Sequence, residues 1–153
     1  MKDIWIDFRN IIKQKCSGTR RLILLWCYIV LRFRRLFIGP DSIVHTGVRL
    51  PGGFVIRPDS FSDFYWTFKE VYIDVDYHFL SHRNDPFIVN VGANIGVDEL
   101  YFKWLYPQCE ILSFEALPKN IRQLKATIYK NQLSKVTIVE QAVGTSVGTM
   151  KFY

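Results

Sequence analysis

Between Pro86 and Val97 the sequence reads Phe-Ile-Val-Asn-Val-Gly-Ala-Asn-Ile-Gly, a β-prone run that passes at once into a glycine turn. The run Phe87–Val91 has no charge, no proline and no alternation, which predicts a strand buried on both faces. After the turn, Leu100, Tyr101, Trp104 and Leu105 recur at helical spacing, so a helix is expected from Val97 to Tyr106, stopped by Pro107. Glu110–Phe114 reads as a second strand ending at Glu115. Pro118 suits the first turn of a second helix, reaching about Asn131. Lys135–Val139 is a third strand. Strand, turn, helix, strand, helix, strand implies parallel pairing through right-handed crossovers. The expected fold is α/β, the first half of a doubly wound Rossmann-like sheet in which the second and third strands lie to one side of the first.

Such sheets bind ligands beyond the carboxyl ends of their strands. The Gly92–Gly96 turn lets a ligand approach the backbone, and the helix that follows offers free N–H groups to an anion. Glu115 lies 23 residues past Gly92, where an acid accepts hydrogen bonds from the hydroxyls of a ribose. The spacing separates two cofactors. A dinucleotide turn, G-x-G-x-x-G, requires glycine at 92, 94 and 97, where the chain has Gly92, Asn94 and Val97. Glycines at intervals of two would stand at 92, 94 and 96, and only Asn94 departs, as a residue that tolerates a left-handed backbone. The turn therefore favours S-adenosylmethionine over NAD, with an NAD-type nucleotide-binding module as the alternative.

Asn90-Val91-Gly92-Ala93-Asn94-Ile95-Gly96 with Phe114-Glu115-Ala116-Leu117-Pro118 resembles the FkbM family of S-adenosylmethionine-dependent methyltransferases. Val136–Gly144 and Gly148–Tyr153 are similar to the family's third strand and the short strand after it, and the likeness covers about residues 60–153. The resemblance implies that Gly92, Ala93, Asn94 and Gly96 hold the methionine tail and that Glu115 holds the ribose. It also implies that Ala116 and Leu117 pack on the adenine, with Gln141 and Ala142 at its edge. Asn90 stands where the family has an aspartate near the cofactor's ammonium. It either takes that place without the charge or serves turn amides, and on the first reading Asn90→Asp tightens the cofactor. Ala116 stands where the family has a proline. The implied reaction is methyl transfer to a hydroxyl of a sugar or natural product, so the partner is a small-molecule or glycan acceptor. The family's acceptor-side residues follow its fourth strand, and this chain stops short of it. No catalytic residue is assigned, and the chain alone is expected to be inactive and prone to associate.

Residues 1–40 hold nine Lys and Arg against Asp3 and Asp7, whereas residues 41–153 hold eleven against twelve acids. All the excess positive charge of the +6 chain is thus in an N-terminal amphipathic helical arm. The neutral remainder excludes a nucleic-acid partner. Within the arm, Leu22–Leu31 is an uncharged run between Arg20-Arg21 and Arg32, about half of what a bilayer crossing needs. Residues 20–35 are expected either to lie on a membrane surface or to pack on the body. Gly39-Pro40 ends the arm, and residues 41–85 form a hairpin around Pro51-Gly52-Gly53 and an aromatic lid segment with a short helix at Phe61–Phe68. The methyltransferase domain occupies 86–153. Cys16, Cys27 and Cys109 suit neither a disulfide framework nor a metal knuckle, which points to the cytoplasm. Asp74, Asp76, His78 and His82 lack an obvious completing ligand, so no metal is expected. The third reading is an inactive membrane-surface fragment of a methyltransferase.

Overall fold

The computed structural model describes residues 2–14, 17–38 and 47–149, and the chain divides into two compact units, Met1–Leu80 and Ser81–Tyr153. Cys16, Gly39-Pro40, the first part of the expected hairpin and Met150–Tyr153 lie outside the described residues.

The first unit begins with helices α1 (Lys2–Lys13) and α2 (Gly18–Ile38). Helix α2 is twice as long as its uncharged run, because arginines on its flanks continue the helical pattern. Its inner face buries Leu24, Cys27, Tyr28 and Leu31, and α1 buries Ile11 and Asp7. A buried acid needs partners, and Asp7 has two: the Tyr28 hydroxyl donates to it at 2.7 Å, and the Lys69 ammonium lies 3.2 Å away. Lys69 also pairs with Asp74, which accepts from Asn10 at 3.1 Å. Arg32 donates to the hydroxyls of Tyr28 and Tyr65.

Strands β1 (Val48–Arg49) and β2 (Val55–Ile56) pair antiparallel around a 3-10 turn at Pro51–Gly53. Within the described part of the expected hairpin, residues 47–57, only two residues of each arm are in register. Helix α3 (Phe61–Phe68) starts where the Ser60 hydroxyl accepts the Asp63 N–H, and it buries Phe61, Phe64, Tyr65 and Phe68 at spacings of three and four. It then widens into a π-helical segment, Lys69–Asp74. That widening turns the consecutive residues Val71, Tyr72 and Ile73 all inward, and Val75 ends it with φ 59°. Phe61, Phe64, Phe68 and Tyr72 form a chain of ring contacts along this element.

In the second unit, β3 (Phe87–Val91), β4 (Glu110–Phe114) and β5 (Val136–Val139) form a parallel sheet in the order β3-β4-β5. Phe87 pairs with Glu110 and Ile111 with Val136. Helices α4 (Val97–Leu105) and α5 (Pro118–Lys130) make the two crossovers. The fold is therefore α/β with a parallel sheet, as the alternation predicted. One expectation is corrected. Strand β3 is buried on one face only: Ile88 and Asn90 are covered, while Phe87, Val89 and Val91 are each more than half exposed. Two right-handed crossovers in one direction place both helices on the same side of the sheet, so the other side has no helix from this unit. No strand follows β5 among the described residues, so the short strand expected at Gly148–Tyr153 is not seen through Thr149.

Candidate functional site

The carboxyl ends of all three parallel strands are tied together by backbone hydrogen bonds. The Phe114 carbonyl accepts from the N–H groups of Gly92 and Ala93, both at 2.9 Å. The Val139 carbonyl accepts from Glu115 at 3.1 Å and from Gln141 at 2.9 Å. The glycine turn, the acid after β4 and the Gln141 segment therefore form one rim. A groove of about 700 Å³ between α5 and β5, lined by residues such as Ile128, Tyr129 and Ile138, shares no residue with it.

Within the turn, Gly92 has φ 86°, Asn94 φ 49° and Gly96 φ 96°. The two glycines serve different ends. A Cβ on Gly92 would meet nothing within 4 Å, so the backbone there is open to a ligand, and Gly92 and Asn94 lie on the exposed lip. A Cβ on Gly96 would lie 3.1 Å from both Leu124 Cδ1 and Thr127 Cγ2. Gly96 is therefore required where α5 packs under the turn, a contact that the Thr127 hydroxyl completes by donating to the Ile95 carbonyl at 2.8 Å. Ala93 and Gly96 are both buried.

Glu115 is buried, and its carboxylate is already engaged by its own surroundings. One oxygen accepts the Asn94 N–H at 2.8 Å; the other accepts those of Ala116 at 3.0 Å and Leu117 at 2.8 Å. The acid thus clamps the turn to the loop after β4. Ala116 is half-buried, and Leu117, Gln141 and Ala142 are exposed at the rim.

The Asn90 side chain is engaged by α4. Its Nδ2 donates to Glu99 Oε1 at 2.8 Å and to Asp98 Oδ2 at 3.3 Å, both buried acids in the first turn of α4. The Ser113 hydroxyl donates to the same Glu99 oxygen at 2.7 Å, and Glu99 Oε2 has no hydrogen-bond partner among the described residues. Burial pushes the Glu99 carboxyl above the ordinary range, against the lowering effect of the Ser113 and Asn90 bonds. Sequence reasoning missed Asp98, Glu99 and Ser113. The available signal was a pair of acids directly after a glycine turn, where a helix N-terminus favours negative charge.

Among the described residues no group of three or more His, Cys, Asp or Glu is placed to hold a metal ion. Asp74, drawn above as one of four candidate ligands, pairs with Lys69 and Asn10.

No family model matches the chain. It is 38% identical over 86 residues to methyltransferase sdnD of Sordaria araneosa, covering 56% of this chain and 33% of the relative. It is 36% identical over 76 residues to methyltransferase 1 of Beauveria bassiana, covering 50% of this chain and 30% of that one. The chain thus spans about a third of the length of the curated relatives it matches. Among solved structures, methyltransferase FkbM from Methylobacillus flagellatus shows a loose likeness, with TM-score 0.41 and 15% identity over 94% of this chain and 33% of that one.

Proposed function

We propose that this chain supplies the cofactor-binding half of an S-adenosylmethionine-dependent methyltransferase of FkbM type, acting on a hydroxyl of a sugar or natural product. The observation that carries the reading is the rim itself, where an open glycine backbone at Gly92 meets a buried acid, Glu115, at the ends of adjacent parallel strands. Similarity to two methyltransferases supports it.

The residues present fit the cofactor chemically. Gly92 leaves room for a ligand against the backbone. The methionine tail carries a carboxylate and an ammonium. The N-terminus of α4, where Gly96 supplies no side-chain cap, suits the carboxylate. Glu115 would take the ribose hydroxyls by exchanging the Asn94 N–H for them, with Ala116, Leu117, Gln141 and Ala142 beside the adenine. When bound, the cofactor supplies an electrophilic methyl group. This chain's residues then act by positioning it, which is most of what in-line methyl transfer requires.

Calorimetric titration of the chain with S-adenosylmethionine and with NAD tests the reading. Binding of the first and not the second is expected. Preference for NAD, or binding of neither, would overturn it.

A further inference from the structure

Helix α2 has two faces of different fate. Leu24, Cys27, Tyr28 and Leu31 are packed inward, and burial pushes the Cys27 thiol up to about 11. On the other side Leu22, Trp26, Val30, Phe33 and Phe37 follow one another at spacings of four, four, three and four, and all are exposed. At 3.6 residues per turn those spacings confine five side chains to a stripe about 80° wide and roughly 22 Å long. Trp26 is 68% and Phe37 80% exposed, so these are large apolar groups left in water.

The charge on the rest of this helix is of one sign. Helix α2 contains five arginines and no acid. Arg34 lies 5.3 Å from the Phe61 ring centre, and Arg35 lies 4.7 Å from that of Tyr65 and 4.5 Å from that of Trp66. Arg32 donates to two tyrosine hydroxyls. These contacts hold the guanidinium groups in place and leave their charge intact. On α1, Arg9 and Lys13 are exposed, while Asp7 is buried against Lys69.

We propose that this face of α2 docks on an anionic lipid surface, with the helix lying in the plane of the membrane and Trp26, Phe33 and Phe37 at headgroup depth. Apolar burial and attraction to anionic headgroups act together on such a helix. No described helix is long and apolar enough to cross a bilayer, and the contact proposed is a peripheral one. A second copy is the poorer occupant. A two-fold contact through the same face would bring together two helices that each carry five arginines and no acid, with no opposite charge to offset them.

Flotation of the full chain with phosphatidylcholine vesicles, and with vesicles that also contain phosphatidylglycerol, tests this, because aggregates sink while bound protein rises. The chain should float with the anionic vesicles at low salt and release as salt rises, since screening shortens the attraction. Trp26→Glu with Phe33→Glu should lower the floating fraction about tenfold. Tyr129→Ser, at an exposed position of α5, should leave it unchanged. Brominated lipid should quench tryptophan fluorescence of the unaltered chain and quench it less in Trp26→Phe, a readout that does not depend on the charged variants folding. Failure to float with either vesicle, or equal flotation with both, would overturn the proposal. So would an oligomer in solution that Trp26→Glu dissociates and that does not float.

Discussion

Replacing Glu115 with glutamine separates its work inside the protein from its work on a cofactor. The carboxylate accepts three backbone N–H groups, those of Asn94, Ala116 and Leu117, at 2.8 to 3.0 Å. A glutamine oxygen retains the last two, as neutral bonds worth about 0.5–1.5 kcal/mol each in place of about 1.5–3. Its amide nitrogen then faces the Asn94 N–H, donor against donor. Asn94 is on the exposed lip, so water takes up that N–H and the loss stays at the low end of the range. The expected cost is about 3–5 kcal/mol of unfolding free energy, measured by urea denaturation without ligand. A ligand at 100 times its Kd stabilises the state it binds by about 2.7 kcal/mol. Repeating the denaturation at saturating S-adenosylmethionine should show that increment in the unaltered chain and a smaller one in Glu115→Gln. A variant as stable as the parent would refute the clamp. A weakened variant with an undiminished increment would show that Glu115 holds the turn and never meets the cofactor.

The two turn glycines should respond differently: Gly92→Ala is expected to cost about 1–2 kcal/mol from its backbone angle, and Gly96→Ala a further 1–3 or so from crowding Leu124 and Thr127. Thermal unfolding compares them, and only Gly92→Ala should weaken cofactor binding beyond its effect on stability. Asn90→Asp, expected from sequence to tighten the cofactor, places a third carboxyl within reach of Asp98 and Glu99, so it should instead lower stability at neutral pH. A stability curve over pH that shows no loss relative to the parent would be the contrary result. Because folding raises the Glu99 carboxyl above its ordinary 4.5, the folded state binds more protons than the unfolded. Stability from this group is complete below about pH 4.5, falls as pH rises towards the raised value, and should lose that slope in Glu99→Gln. Finally, Val89→Lys on the uncovered face of β3 should reduce self-association in light scattering, since exposed apolar strands at a sheet edge invite pairing.

The β-α alternation of the second unit was legible because strands and helices there are short, regular and punctuated by Gly92, Pro107 and Pro118. The placement of Glu115 at the end of β4 followed from the same pattern. What the carboxylate does there did not, since three backbone donors arrive from turn geometry that side-chain identity does not encode. Strand β3 was misread as doubly buried because an uncharged β-prone run reports strand propensity, not which face a helix covers. Asn90 was weighed against the turn beside it, whereas its partners sit eight and nine residues later on α4. The π-helical segment was also missed, because Val71, Tyr72 and Ile73 fit no 3.6-residue period. The arm was read as alternatives, membrane surface or packed helix, although one α2 face packs and the other is bare.

The register of the sheet bears on how the chain acquires its shape during synthesis. Phe87 meets Glu110, 23 residues on, and Ile111 meets Val136, 25 residues on, so each strand pairs with the next one to be made. Each pairing closes a loop of about 25 residues, an entropic cost that grows only slowly with loop length. On a ribosome that extends the chain by about 5–20 residues per second, the glycine turn and the Glu115 clamp can therefore be set by the time β5 emerges. The rim can then be assembled in the order of translation, each strand docking on the one made just before it.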